Sequence, residues 1–277
     1  MTLRPHEGNL RAWQAGVLVV FMALWQVVSR DDQMAFFVGE PIKVAGRIWS
    51  WFIPVEIAPN LLFPDGLPGR ADIYLHLGVT LLETVLAFGI GTLLGLAVGL
   101  WLALAPTASA IFDPYIKALN SMPRVILAPI FAMWFGLGIW SKVALAVTLV
   151  FFIVFFNVYQ GVREVSPTVL ANARMLGASQ KQLLRTVYLP SATSWVFSSL
   201  HTSVGLAFVG AVVGEYLGSA RGVGYLILQA EGTFDVNTVF AGIVVLTAFA
   251  LALDGLVGRI ERRLMKWQPR QGETEKL

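Results

Sequence analysis

Two ionisable residues stand inside stretches that are otherwise apolar. Glu83 lies between Leu82 and a long uncharged run, and Thr80, Glu83, Thr84 and Ala87 fall on one helix face by their i, i+3, i+4, i+7 spacing. His201 lies within the polar run Ser198-Ser199-Leu200-His201-Thr202-Ser203, where Ser198, His201 and Thr202 share a face. An ionisable group in the middle of a membrane costs about 2.5–3.5 kcal/mol on insertion scales, so it tends to face a cavity or a partner. Thr80, Glu83, Thr84, Ser198, His201 and Thr202 are therefore candidates for the lining of a solute pathway. Two other readings stay open at this point. The hydroxyls can serve helix packing, and Glu83 and His201 can bond to each other or form the ion site of an ion-coupled carrier. Bond chemistry has no comparable support. There is no G-x-x-x-x-G-K-[ST] phosphate loop, no H-E-x-x-H, no cysteine, and the three histidines, His6, His76 and His201, are far apart in sequence. No metal and no cofactor is expected in this chain.

The elements that position these residues must be membrane helices. Of 277 residues, 56% are hydrophobic and 13% charged, with mean hydropathy +0.69. A soluble chain carries roughly a quarter charged residues. Disorder and a disulfide scaffold are excluded by the same numbers, and a net charge of +3 is too small to suggest nucleic acid. Uncharged runs predict six spans: Ala12–Ser29, Thr84–Phe112 (beginning near His76), Val125–Ser141, Val143–Val162, Thr186–Gly214 and Val236–Leu253. None alternates with period two, so the fold expected is an all-α membrane protein of about six transmembrane helices. Arg30-Asp31-Asp32 after the first span, without a small-residue cleavage site, favours an uncleaved anchor over a signal peptide.

Loop charge gives an orientation. With the N-terminus inside, only Arg30, Lys43, Arg47, Arg70, Lys142 and Arg221 of the 20 Lys and Arg residues fall outside, so both termini are expected in the cytoplasm. In the outer connection, Val44, Ile48, Trp51 and Phe52 predict an amphipathic helix lying on the membrane surface. The proline-rich Pro54–Gly69 predicts an irregular stretch. The organisation expected is an N-terminal anchor and outer segment over 1–75, a core over 76–267 and a cytoplasmic tail over 268–277.

The cytoplasmic loop over 163–190 carries more structure than a connection needs. Ser166-Pro167 predicts a helix start, Gly177 a helix stop, and Ser179-Gln180-Lys181-Gln182 a capping box opening a second helix. The small residues Ala171, Ala173, Gly177 and Ala178 would let another surface approach the backbone. A loop packed on its own bundle and a docking knuckle for a soluble partner both fit this pattern.

The run from Ala171 to Ser179, closing in Tyr188-Leu189-Pro190, resembles the EAA loop of bacterial ABC importer permeases. Phe135-Gly136-Leu137-Gly138 is similar to that family's W-F-G-x-G segment. Gly161-Val162-Arg163 resembles its approach to the loop, and Glu215, Gly218, Gly222, Gly224 and Tyr225 the stretch after the fifth span. Arg262-Arg263-Leu264 resembles its C-terminal end, and the likeness is strongest to the nitrate, sulfonate and taurine permeases. The resemblance implies a type I ABC importer permease fold in a bacterial inner membrane, and a homodimer of this chain around one pathway. It further implies two ATPase subunits, which hold the ATP and magnesium, and a periplasmic solute-binding protein. Ala171, Ala173, Arg174, Leu176, Gly177, Ala178 and Ser179 would then couple to the ATPase, and Glu215, Gly218, Gly222 and Gly224 would form the outer gate. Two departures stand out: Ala171 replaces the acid of the E-A-A triplet, and Glu83 and His201 stand where the family commonly has arginines. A pathway without those cations attracts anions less, so a neutral or heterocyclic solute is expected as readily as a sulfonate-type anion.

Overall fold

A computed structural model describes residues 7–52, 73–191, 195 and 200–264. Every regular element among them is helical: α1 (Glu7–Val28), α2 (Asp32–Val38), α3 (Pro41–Phe52), α4 (Ile73–Leu104), α5 (Pro106–Ser121), α6 (Ala128–Phe135), α7 (Ile139–Arg163), α8 (Pro167–Met175), α9 (Gln180–Leu183), α10 (Leu200–Leu217), α11 (Val223–Gly232) and α12 (Val236–Leu264). Among the described residues, three stretches are long and apolar enough to cross a membrane: Ile73–Leu104, Ile139–Arg163 and Val236–Ile260. The pair Pro106–Ser121 and Arg124–Phe135, bent by 88°, makes a fourth if it is one broken span. Ala12–Val28 and Thr202–Leu217 are shorter apolar helices. The expected stretches Pro54–Gly69 and 268–277, and Ser198, lie outside the described residues.

Two expected boundaries move, each for a local reason. The second span does not run on to Phe112. It ends at Leu104, because Pro106 opens α5 and holds Ala105 out of the helical region at φ −116°, ψ 85°. The third span, expected over Val125–Ser141, is broken. A 3₁₀ turn over Arg124–Leu127 leads into α6, Gly136 ends α6 at φ +73°, and Ser141 already belongs to α7.

The chain divides into two compact units, one of Met1–Leu75 with Leu226–Thr247 and one of His76–Tyr225 with Ala248–Leu277. In the first, Trp25 Nε1 donates to Val38 O at 3.0 Å, and its ring meets Phe240 at 5.5 Å. Arg47 pairs with Asp235 at 2.7 Å, and the Glu40 N–H donates to Asn237 Oδ1 at 2.7 Å. Here α3 forms as expected, with Val44 and Trp51 each only 4% exposed while Ile42 and Trp49 of the same helix are open.

In the second unit, Gly91, Gly95 and Gly99 of α4 face α7 at four-residue spacing. A Cβ on Gly91 would stand 2.7 Å from Val150 Cβ, one on Gly95 2.8 Å from Val154 Cβ, and one on Gly99 2.9 Å from Phe155 O. Small residues at this spacing let two helices close to backbone contact, the usual basis of packing within lipid. Val150, Val154 and Val158 of α7 form the buried core with Ala87 and Ala207. Among the α7 phenylalanines, Phe152 and Phe155 fill the core, while Phe156 is 36% exposed.

Candidate functional site

The loop over 163–190 folds into a capped elbow. Pro167 stands at the start of α8, although Ser166 makes no side-chain cap. At the other end Gly177 takes φ +81°, and the N–H groups of Gly177 and Ala178 return to Arg174 O at 2.9 Å and Ala173 O at 3.0 Å. Ser179 and Gln182 complete the capping box: the Ser179 N–H donates to Gln182 Oε1 at 2.7 Å, and the Gln182 N–H to Ser179 Oγ at 3.3 Å. Leu183 is buried and fixes α9 on the bundle. Where the elbow rejoins the helices, Ser191 Oγ donates to Gly161 O at 2.8 Å, and a Cβ on Gly161 would overlap the Trp195 ring at 2.2 Å.

The elbow's tip is apolar and open. Met175 is 78% and Leu176 88% exposed. Ala171, Arg174, Gly177 and Ser179 are exposed beside them, and Ala173 and Ala178 are half-buried. The seven predicted residues, with Met175 among them in space, thus lie on one short, positioned surface.

The opposite character holds around Glu83. Thr80, Glu83, Thr84 and Ala87 do share a face, and all four are between 0 and 2% exposed among helices of the same chain. The carboxyl of Glu83 lies in hydrogen-bonding contact with that of Glu215, which is itself fully buried. Thr80 Oγ1 donates to Glu215 Oε1 at 2.6 Å, and the Gly224 N–H donates to Glu215 Oε2 at 2.8 Å. Thr80 Oγ1 also accepts from the Val223 N–H at 3.2 Å, while His76 Nδ1 stands 3.0 Å from the Gly222 N–H. Three successive N–H groups at the start of α11 are thereby satisfied by side chains. Glu215 places a carboxylate where the helix dipole is positive.

The glycines of this stretch follow from the carboxylate. Gly222 takes φ +106°, and a Cβ there would lie 2.1 Å from Glu215 Cδ. On Gly224 a Cβ would lie 2.6 Å from Val212 O, and on Gly218 3.3 Å from Leu137 Cδ2. Close approach is what these positions demand in this structure.

Sequence reasoning missed Lys142. Lying between two apolar runs, it reads as an outer-loop charge. It is instead 1% exposed in the first turn of α7, where its ammonium donates to Leu137 O and to Gly138 O, the latter at 3.0 Å. Its charge acts on both Glu83 and Glu215, and Gly214 leaves room for its stem, a Cβ there standing 2.9 Å from Lys142 Cγ. The signal available was Gly136-Leu137-Gly138 just upstream, which ends one helix and leaves carbonyls for a cation to satisfy. Glu83 Oε2 remains a buried oxygen without a hydrogen-bond partner, a defect costing about 1–3 kcal/mol.

His201 lies on α10, fourteen residues before Glu215, or roughly 21 Å along the helix at 1.5 Å per residue. Its side chain lies outside the described residues, while Thr202 is exposed.

Residues 91–266, which take in the node's Lys142 and Glu215 and the whole elbow, match the family described as "Binding-protein-dependent transport system inner membrane component". The chain belongs to that family. It is 30% identical to the putative aliphatic sulfonates transport permease protein SsuC of Bacillus subtilis, over 96% of this chain and 92% of that one. It is 28% identical to the formylaminopyrimidine transport permease protein ThiX of Halalkalibacterium halodurans, over 91% and 94%. The inward-facing MetNI methionine ABC transporter shares the fold with TM-score 0.60 over 69% of this chain and 96% of that one, at 18% identity.

The chain is thus an ABC importer permease of type I fold, a multi-pass component of the inner membrane. It works with a separate ATPase and a solute-binding protein. As a permease it performs no bond chemistry, and ATP hydrolysis lies in the separate subunit. With the energy source placed there, the ion-coupled reading of Glu83 and His201 is set aside.

Proposed function

We propose that two copies of this permease form one solute pathway on their common axis, and that the 163–190 elbow is where each copy meets one ATPase subunit, which holds the ATP and magnesium. The observation that carries this reading is the tip: Met175 and Leu176 are exposed on a turn fixed by a positive-φ glycine and a complete capping box. Two bare apolar side chains on a rigid projection among polar neighbours fit a groove on a soluble partner. ATP binding would close the ATPase pair, draw the elbows inward and open the bundle outward, and hydrolysis would reset it.

In this reading both termini are cytoplasmic, as the distribution of Lys and Arg supports, and lipid covers the outer apolar faces. Ser198, His201 and Thr202 line the pathway. Thr80, Glu83 and Thr84, buried within one copy, hold the shape of its wall. The stretch from Glu215 through Gly218, Gly222 and Gly224 is the outer gate. The solute is a small organic molecule, of the sulfonate or the heterocyclic kind carried by the named relatives, with the binding protein making the selection.

The test is co-purification in mild detergent of tagged permease with its ATPase, for wild type and for Leu176→Asp. Wild type is expected to retain the ATPase at one per permease, and the variant to lose it with the permease still monodisperse. Retention by Leu176→Asp would remove the elbow from the contact.

A further inference from the structure

The contacts around Glu215 do more than fill space, because they tie the turn over 218–224 to α4 through His76 and Thr80 and to the end of α10 through Glu215. Thr80 sits at the centre. Its hydroxyl gives its single proton to Glu215 Oε1 at 2.6 Å while its lone pair takes the Val223 N–H at 3.2 Å. A second acceptor for that proton stands within its own helix, His76 O at 3.1 Å. Thr80 can therefore let go of Glu215 without stranding its hydroxyl. Glu215, for its part, keeps the Gly224 N–H at 2.8 Å and stands in the field of the Lys142 ammonium. The arrangement has one set of bonds made and the partners for a second set already in place, as a two-state element requires.

We propose that Thr80 and Glu215 are positioning residues of the transport cycle: their hydrogen bond is a latch that holds the turn over 218–224 on α4 in one transport state and is released in the other. The inference deepens the reading of that turn as the outer gate and rests on it. The latch contributes to the free-energy difference between the two states, so weakening it shifts their populations. ATP consumption then proceeds without waiting for the loaded binding protein.

The experiment uses the full complex of permease, ATPase and binding protein in lipid nanodiscs. The chain has no cysteine, so Gly78→Cys and Ala220→Cys carry spin labels without background. Gly78 has open space around its Cβ position and Ala220 is exposed. The label distance is measured without nucleotide and with ATP trapped, alongside ATPase activity with and without the binding protein. Wild type is expected to change distance between the two conditions. Thr80→Val, equal in size but without the hydroxyl, is expected to show both distances without nucleotide. Its binding-protein-independent ATPase activity should rise roughly tenfold, the factor carried by loss of one hydrogen bond to a charged group, and Thr80→Ser should return both readouts to wild type.

A distance unchanged by nucleotide in wild type would overturn the gate reading and the latch with it. A distance that moves in wild type and is untouched by Thr80→Val, with ATPase coupling intact, would overturn the latch alone. Should Thr80→Val fail to assemble, Thr80→Ala, which also lacks the hydroxyl, is read against the same two outcomes.

Discussion

The node around Glu215 and the elbow around Gly177 invert each other. In the node, two carboxyls, an ammonium and a threonine hydroxyl are fully buried within helices of a membrane protein. At the elbow, methionine and leucine stand almost bare on a loop between helices. Each is in the environment that transfer energies disfavour. The node compensates internally, with Thr80 and Gly224 bonded to the Glu215 carboxylate and the Lys142 charge acting on both carboxyls. The elbow has no such compensation among the described residues, and in the proposed function its apolar area is covered by the ATPase. A buried polar cluster that closes on itself speaks of conformation; an exposed apolar tip that does not speaks of a partner.

The largest effects should come from breaking the node. Lys142→Met removes the ammonium while leaving two carboxyls in place, which typically costs about 3–5 kcal/mol for a buried charge left unpaired. The expected outcome is a marked fall in thermal unfolding temperature and in yield. The double variant Lys142→Met with Glu215→Gln is expected to recover much of that loss, since it removes one charge of each sign. If the double variant is no better than the single one, the node's charges are not balanced against each other.

Next comes Gly222→Ala. Its Cβ would overlap the Glu215 carboxyl at 2.1 Å, and φ +106° is unfavourable for any other residue. A loss of about 2–3 kcal/mol is expected, read as thermal stability in detergent. The same exchange at Gly232, where a Cβ would meet nothing within 4 Å, should be nearly silent in the same assay. Equal losses at both would mean that helix flexibility, and not the carboxylate, explains the glycines.

How much of this was readable differs between the two regions. The elbow was almost fully legible, because helix stops and caps are local: Gly177 and the Ser179/Gln182 box involve residues at most five apart. The node was legible only in pieces. The shared face of Thr80, Glu83 and Thr84 follows from helical spacing, but their partner Glu215 is 135 residues away from Thr80, and no local pattern joins them. Lys142 was misread because a charge between two apolar runs looks the same whether it meets water or turns inward on two free carbonyls. The break at Ala105-Pro106 carried a local signal, the proline, that hydropathy alone overrode. Gly91, Gly95 and Gly99 likewise show their four-residue spacing in the sequence, but only α7 reveals what the spacing is for.

At the elbow the effects should be smaller on stability and larger on coupling. Ser179→Ala removes the side-chain half of the capping box, worth about 0.5–2 kcal/mol to the local helix, while leaving the apolar tip intact. The isolated permease is expected to keep its unfolding temperature, because α9 is four residues long and Leu183 still anchors it. Solute uptake per ATP should fall, since a looser elbow transmits less of the ATPase's motion. An unfolding temperature that drops with coupling unchanged would reverse that assignment.

The smallest effect sharpens what the missing acid means. Ala171 stands where the family has a glutamate, exposed on α8 and three residues before Arg174. Ala171→Glu would create an i, i+3 pair with Arg174, worth about 0.2–0.5 kcal/mol to the helix. If the family's acid serves only to stabilise its own helix, the substitution should leave ATPase affinity within about twofold, as a gain of that size allows. If the acid meets the ATPase directly, affinity changes by more than that and becomes steeply dependent on salt, as exposed charge pairs do. Titration of the ATPase onto nanodisc-held permease at two ionic strengths separates the two, and the buried node, which the substitution does not touch, serves as the control for an unchanged bundle.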